Sequence, residues 1–230
     1  MQGRLRVYSD ANFNPQWRNG TYSGFYHKVS EPNEVLKKSS RDGDLETVKK
    51  LLASGVDPNT ILGSSHSALA DAAMNGHIKI MKLLIAAGAD VNALFRSTHT
   101  PLSMTAGTSE VEAAKLLIKH GANINSLMGK GSSIAHEAAY FGHPKMLRFV
   151  LSQNKDLVNM RDKQGGTILH YAVNRMPTGE KRNRKLINCI KIALKNGADP
   201  KLESKWQNSG SAIKMAKDRG LDQVLDLLEK

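Results

Sequence analysis

The segment Gly88-Ala89-Asp90-Val91-Asn92 returns as Gly121-Ala122-Asn123-Ile124-Asn125 and as Gly197-Ala198-Asp199-Pro200, with a rougher copy at Gly55-Val56-Asp57-Pro58-Asn59. The step is 33 residues from Gly55 to Gly88 and again from Gly88 to Gly121. A fixed period of that size is the mark of a repeat array. Each small unit cannot bury its apolar side alone and must stack on the next. Such a chain is first of all a recognition scaffold, because stacking builds a surface rather than an enclosed pocket.

Glu34, Ser67, Thr100, Ser133, Thr167 and Ser211 fall into register as the residues opening each unit, at intervals of 33, 33, 33, 34 and 44. In the most legible unit, Ala68-Leu69 and Ala72-Ala73 share one side of a short helix. Asn75-Gly76-His77 makes a turn, since glycine accepts the left-handed conformation of a helix stop. Ile80, Met81, Leu83, Leu84 and Ile85 mark a second apolar helix, which Gly88 ends. In the next unit Thr100 is placed to cap a helix and Pro101 suits its first position.

Thr100-Pro101-Leu102, Thr167-Ile168-Leu169-His170 with Ala172, the Gly76-His77 and Gly142-His143 turns and the Gly-Ala-Asp-Val-Asn segments closely resemble the ankyrin repeat family. The resemblance covers about six units, residues 34 to 228. It implies an all-α solenoid of antiparallel helix pairs joined by β-turn fingers, with fingers and first helices on a concave face. The expected organisation is an arm over residues 1–31 and an array over 32–230. Polar residues at both ends (Lys37, Lys38, Ser39 and Ser40 at one, Lys214, Lys217, Asp218 and Arg219 at the other) predict caps closing the array.

Composition narrows the setting. A formal charge of +12 and a pI near 9.8 favour acidic partners without naming nucleic acid. The single cysteine, Cys189, excludes an internal disulfide framework and fits a reducing compartment. No apolar run reaches bilayer length, and the first residues lack the apolar core of a secretory signal. The expectation is a cytoplasmic monomer; a nuclear location and delivery into a host cell as a bacterial effector stay open.

Four departures from the pattern are candidate sites. Ankyrin fingers usually carry an aspartate three residues after the Asn of the repeated segment. Here that position holds Leu62, Phe95 and Met128, and only Asp162 keeps the pattern. The preceding residues are Ile61, Leu94 and Leu127. Either these side chains fold back between neighbouring fingers or they form an exposed apolar strip for a protein partner. Tyr140-Phe141 occupies a variable position before Gly142, where aromatic residues serve as anchors or pack on the next helix. The fifth unit carries an insertion, 176–185. From Arg175 to Lys185 there are five basic residues and one acid, either a solvated helix start or a site for acidic or phosphate groups. Thr178 is a candidate cap for the following helix. The arm holds Tyr8, Phe13, Trp17, Tyr22, Phe25 and Tyr26, six of twelve aromatic residues; it either covers the first unit or carries its own docking motif.

Catalytic and metal chemistry find little footing. His77 and His143 sit in turns, and His136 and His170 are fourth in the helix-opening motif, where the resemblance implies hydrogen bonding to the surroundings. His66 and His99 are one repeat apart, too far for a shared metal. Gly129-Lys130-Gly131-Ser132 lacks the glycine and the strand of a phosphate loop. Cys189 lies among Ile187, Ile190 and Ile192 as a core residue. The reading is a non-enzymatic scaffold with no cofactor and no metal, which binds a protein with an acidic rim. Leu62, Phe95, Met128, Tyr140 and Phe141 are the expected apolar anchors, and Arg96, Lys130 and Lys163 the steering charges. Binding of nucleic acid or an anionic membrane through the basic surface is the alternative, carried by charge alone.

Overall fold

The computed structural model describes residues 31–60, 66–95, 98–177, 183–206 and 210–230. Among them, twelve α-helices follow one another in pairs: α1 (Glu31–Asp42) and α2 (Leu45–Ala53), α3 (Ala68–Met74) and α4 (Ile78–Ala86), α5 (Pro101–Thr108) and α6 (Val111–Lys119), α7 (Ile134–Tyr140) and α8 (Pro144–Gln153), α9 (Ile168–Arg175) and α10 (Arg184–Lys195), α11 (Ala212–Asp218) and α12 (Asp222–Leu228). The first helices stack in one layer, α1 on α3, α3 on α5, and onward to α11. The second helices stack in another, from α2 to α12. One continuous core of Leu, Ile, Val, Ala and Met side chains lies between the layers, from Leu36 to Leu228. This is the architecture of a solenoid, in which each unit is buried by its neighbours.

Local signals set the helix ends. Ser67 accepts a bond from the Ala70 N–H, Thr100 from the Ser103 N–H, and Ser211 from the Lys214 N–H. The first helix is already formed at Glu31, ahead of Glu34, and Pro32 is compatible with an early helical position. The second helices end at Gly88, Gly121 and Gly197, all with φ of 89°. There the following N–H turns back to the helix, Ala89 to Leu84 O at 2.9 Å and Ala122 to Leu117 O at 3.0 Å, a closure that needs the left-handed residue. Asn183 caps α10 through Leu186 N–H at 3.2 Å, so the cap is not Thr178, which lies outside the described residues.

Asparagines bolt successive units together. Asn59 donates to Gly88 O at 2.8 Å and accepts from Asp90 N–H at 2.7 Å. Asn92 repeats this with Gly121 O and Asn123 N–H, and Asn159 with Gly197 O and Asp199 N–H. Asn125 breaks the series, accepting instead from Asn154 Nδ2 at 2.8 Å. The fourth unit ends without a glycine there, and a 3-10 turn, Lys155–Val158, carries the chain on.

Two histidines do similar work. The Nδ1 of His136 accepts from Ser133 N–H at 3.1 Å while its Nε2 donates to Gly166 O at 3.1 Å in the next finger. His170 does the same with Thr167 N–H and Gly210 O. One acceptor and one donor nitrogen fix a neutral ring. Burial holds His136 down to about 4 and also lowers His170.

Candidate binding face

Three fingers are built on one backbone bond. Phe95 N–H reaches His99 O at 3.0 Å, Met128 N–H reaches Ser132 O at 2.8 Å, and Asp162 N–H reaches Gly166 O at 2.9 Å. All three side chains turn inward, at 4%, 6% and 7% exposure. The Phe95 ring lies between His66 and His99, with centroids 4.6 and 5.4 Å away. Adjacent residues of an extended strand point to opposite sides. Leu94 and Leu127, each one residue earlier, are accordingly 57% and 50% exposed. They stand one repeat apart on neighbouring fingers.

A second exposed apolar residue group comes from the first helices. Phe141, which caps α7, is 46% exposed. Its ring lies over the gap left by Gly107 on α5, where an added Cβ would meet it at 3.6 Å. Tyr140 meets Phe141 edge-on at 5.1 Å and Tyr171 of α9 at 6.3 Å. Tyr171 in turn packs on Trp206 at 4.6 Å. The Arg175 guanidinium sits 5.3 Å over the Tyr140 ring. An aromatic run therefore crosses the first-helix layer from Phe141 to Trp206.

Charge is distributed along the same fingers. Lys130 and Lys163 are exposed. Lys163 is also a fastener: its N–H bonds to Lys130 O and its ammonium to Gly129 O, both at 3.0 Å. Asp162 accepts from Gln164 N–H, Gly166 N–H, Tyr171 Oη and Trp206 Nε1, at 2.9, 2.7, 3.1 and 3.0 Å. Burial and this carboxylate both push the Tyr171 phenol up. Burial also raises the Glu137 carboxyl, against a bond from Ser132 and the charge of Lys130. Asp71 on α3 is buried and holds Arg41 at 3.0 Å and His66 at 3.1 Å. Cys189 is buried, its thiol pushed up to about 12 by desolvation, so it holds no reactive thiolate.

The family model for ankyrin repeats matches residues 36–128 and 112–204. This chain belongs to the ankyrin repeat family. No curated protein matches it. A similar solved structure is the predatory endopeptidase Bd0816 from Bdellovibrio bacteriovorus in complex with the immunity protein Bd3460. Its matched chain has a TM-score of 0.71 and 26% identity, over 85% of this chain and 97% of that one. Among the described residues no helix is long and apolar enough to cross a membrane, and no three His, Cys, Asp or Glu side chains converge as a metal cluster would require.

The ankyrin finger explains an expectation the structure corrects. Phe95 and Met128 do not form an exposed strip; both are buried. The Asp162 finger shows why. Its carboxylate accepts N–H groups of its own hairpin and so faces inward. An apolar side chain at the same position enters the same slot and packs where the carboxylate would bond. The exposed row is shifted by one residue, to Leu94 and Leu127. Leu62 and Arg96 lie outside the described residues. Tyr140 is half-buried, Phe141 exposed, and the two are in contact. The sequence carries no local sign that Tyr171 meets Tyr140 or that Trp206 extends the run through Tyr171. Tyr171 and Trp206 lie 31 and 66 residues beyond Tyr140, and only stacking brings the three into one run.

Proposed function

We propose that this ankyrin-repeat chain is a non-enzymatic binding protein that takes a protein partner on the concave side formed by its fingers and first helices. One observation carries the reading. The large apolar side chains that stand exposed among the described residues are Leu94, Leu127 and Phe141, two on fingers and one on a first helix. Apolar side chains lined up on adjacent units, unlike single scattered ones, mark a surface for a partner to cover. Leu94, Leu127 and Phe141 are the anchors in this reading, with Tyr140 as the floor beneath Phe141. Phe95 and Met128 support the finger tips from below, and Lys130 and Lys163 steer an acidic rim. The solved complex of an endopeptidase with an immunity protein supports a folded protein as the kind of partner. The array binds by preorganisation, since a rigid stack orders no loops on docking and loses less of its contact energy.

Site-specific photo-crosslinking tests this in the native cell extract. A benzoyl-phenylalanine placed at Leu94, Leu127 or Phe141 is expected to capture one common protein. The same group at Lys79, on the outer layer, is expected to capture none of it. Capture from Lys79 alone would overturn the reading.

A further inference from the structure

The second-helix layer carries a feature that the concave-face reading does not use. The helices α8 and α10 lie side by side, and between them runs an open groove lined by Lys145, Arg148, Lys191 and Lys195 with Asn188 and Asn196. All four cations are exposed. The spacing of three between Lys145 and Arg148, and of four between Lys191 and Lys195, puts each pair on one face of its helix. Arg184 and Lys185 extend the charge at the start of α10.

Neither helix contains a carboxylate. Two outer helices pair their own charges, Lys49 with Glu46 on α2 at 2.8 Å and Lys115 with Glu112 on α6 at 2.6 Å. The helix α4 also lacks a carboxylate, but among the outer helices only α8 and α10 set two such helices side by side. On the far side of α10, α12 carries Asp222 and Asp226. Among the described residues no ion pair links either to the groove. The groove is thus a cationic channel about 12 Å long, from the helical rise over residues 188–196 that line its longer side.

We infer that this groove binds an extended acidic segment of a protein. Charge selects an anion, and three further features select a peptide. Carboxylates on one side of an extended chain recur about every 6.8 Å, close to the 5–6 Å between helical neighbours three and four apart. A channel of this length holds about three to four such residues. Asn196 donates its amide N–H to Ile192 O at 2.8 Å, and among the described residues its oxygen takes no donor. A peptide backbone brings N–H groups to such an oxygen, whereas a phosphate chain brings none. No aromatic side chain lines the groove to stack a base.

The probe is a fluorescein-labelled decapeptide of alternating Glu and Ala, titrated at low salt. Wild-type protein is expected to bind it saturably, with affinity falling as salt rises. Removing two groove charges with Arg148→Gln and Lys191→Gln is expected to weaken binding about tenfold. Lys79→Gln with Lys82→Gln on α4 removes the same charge elsewhere and is expected to change it less than about twofold. Hydrogen exchange of the wild-type complex is expected to show protection in 144–148 and 188–196. Equal loss in both double variants, protection elsewhere, or no saturable binding would overturn the inference. So would groove-dependent binding of an oligo-dT strand or phosphatidylserine vesicles in the peptide's place.

Discussion

The fingers that begin at Met128 and at Asp162 are neighbours with the same hairpin bond and opposite chemistry. One fills its inner slot with a thioether side chain. The other fills it with a carboxylate that gathers four donors from its own turn, Tyr171 and Trp206. Phe95 belongs with Met128, its ring held between two histidines. The comparison shows that the backbone decides where this side chain goes and the residue decides only how the slot is filled. Apolar filling depends on contact area and shape; polar filling depends on every donor keeping its acceptor.

Substitutions separate the two chemistries. Phe95→Ala is expected to cost about 3 kcal/mol, the low end for a buried ring, because His66 and His99 lose their shared surface. Asp162→Ala is expected to cost about 2 kcal/mol by leaving the Tyr171 hydroxyl and Trp206 N–H without their acceptor. Urea unfolding measures both. Asp162→Leu sharpens the contrast. It restores bulk but not acceptors, and is expected to recover little of the loss; full recovery would mean that the slot requires only volume.

A pH series probes the polar side of the comparison. His136 is held down to about 4 by burial, from an ordinary value of 6.5. The unfolded chain therefore takes up protons more readily than the folded one below pH 6.5. Stability from this group is complete above pH 6.5 and drains as the pH falls toward 4. Between pH 7 and 5 the loss is about 2 kcal/mol, with His170 adding in the same direction. Glu137 works against it: its raised carboxyl is protonated more easily in the fold, which favours the fold as the pH falls. His136→Gln is expected to be less stable at pH 7 and to have a shallower slope from pH 7 to 5. An unchanged slope would remove His136 as its source.

The repeat phase was legible in the chain because it is local. The Gly-Ala-Asp-Val-Asn segments, the Thr100-Pro101 opening and the histidines of the helix-opening motif each announce their own unit. The facing of the finger residues was not legible from a list of apolar positions. In an extended hairpin a shift of one residue moves a side chain from water to core, so Leu94 and Phe95 have opposite fates. Asp162 held the missing signal, since a carboxylate that organises its own turn must point inward. The groove between α8 and α10 was hidden for another reason. Lys145 and Lys195 are 50 residues apart, and only the stacking of second helices brings their rows together.

Isothermal titration of the partner captured at Leu94 is the most direct test of the binding face. The outward variant Leu94→Ser/Leu127→Ser/Phe141→Ser is expected to stay folded with wild-type helical content, melting slightly lower because Phe141 gives up its contact with Tyr140. It is expected to lose at least about thirtyfold in affinity, as anchors worth about 2 kcal/mol or more would dictate. A triple variant that binds as tightly as wild type would contradict the account.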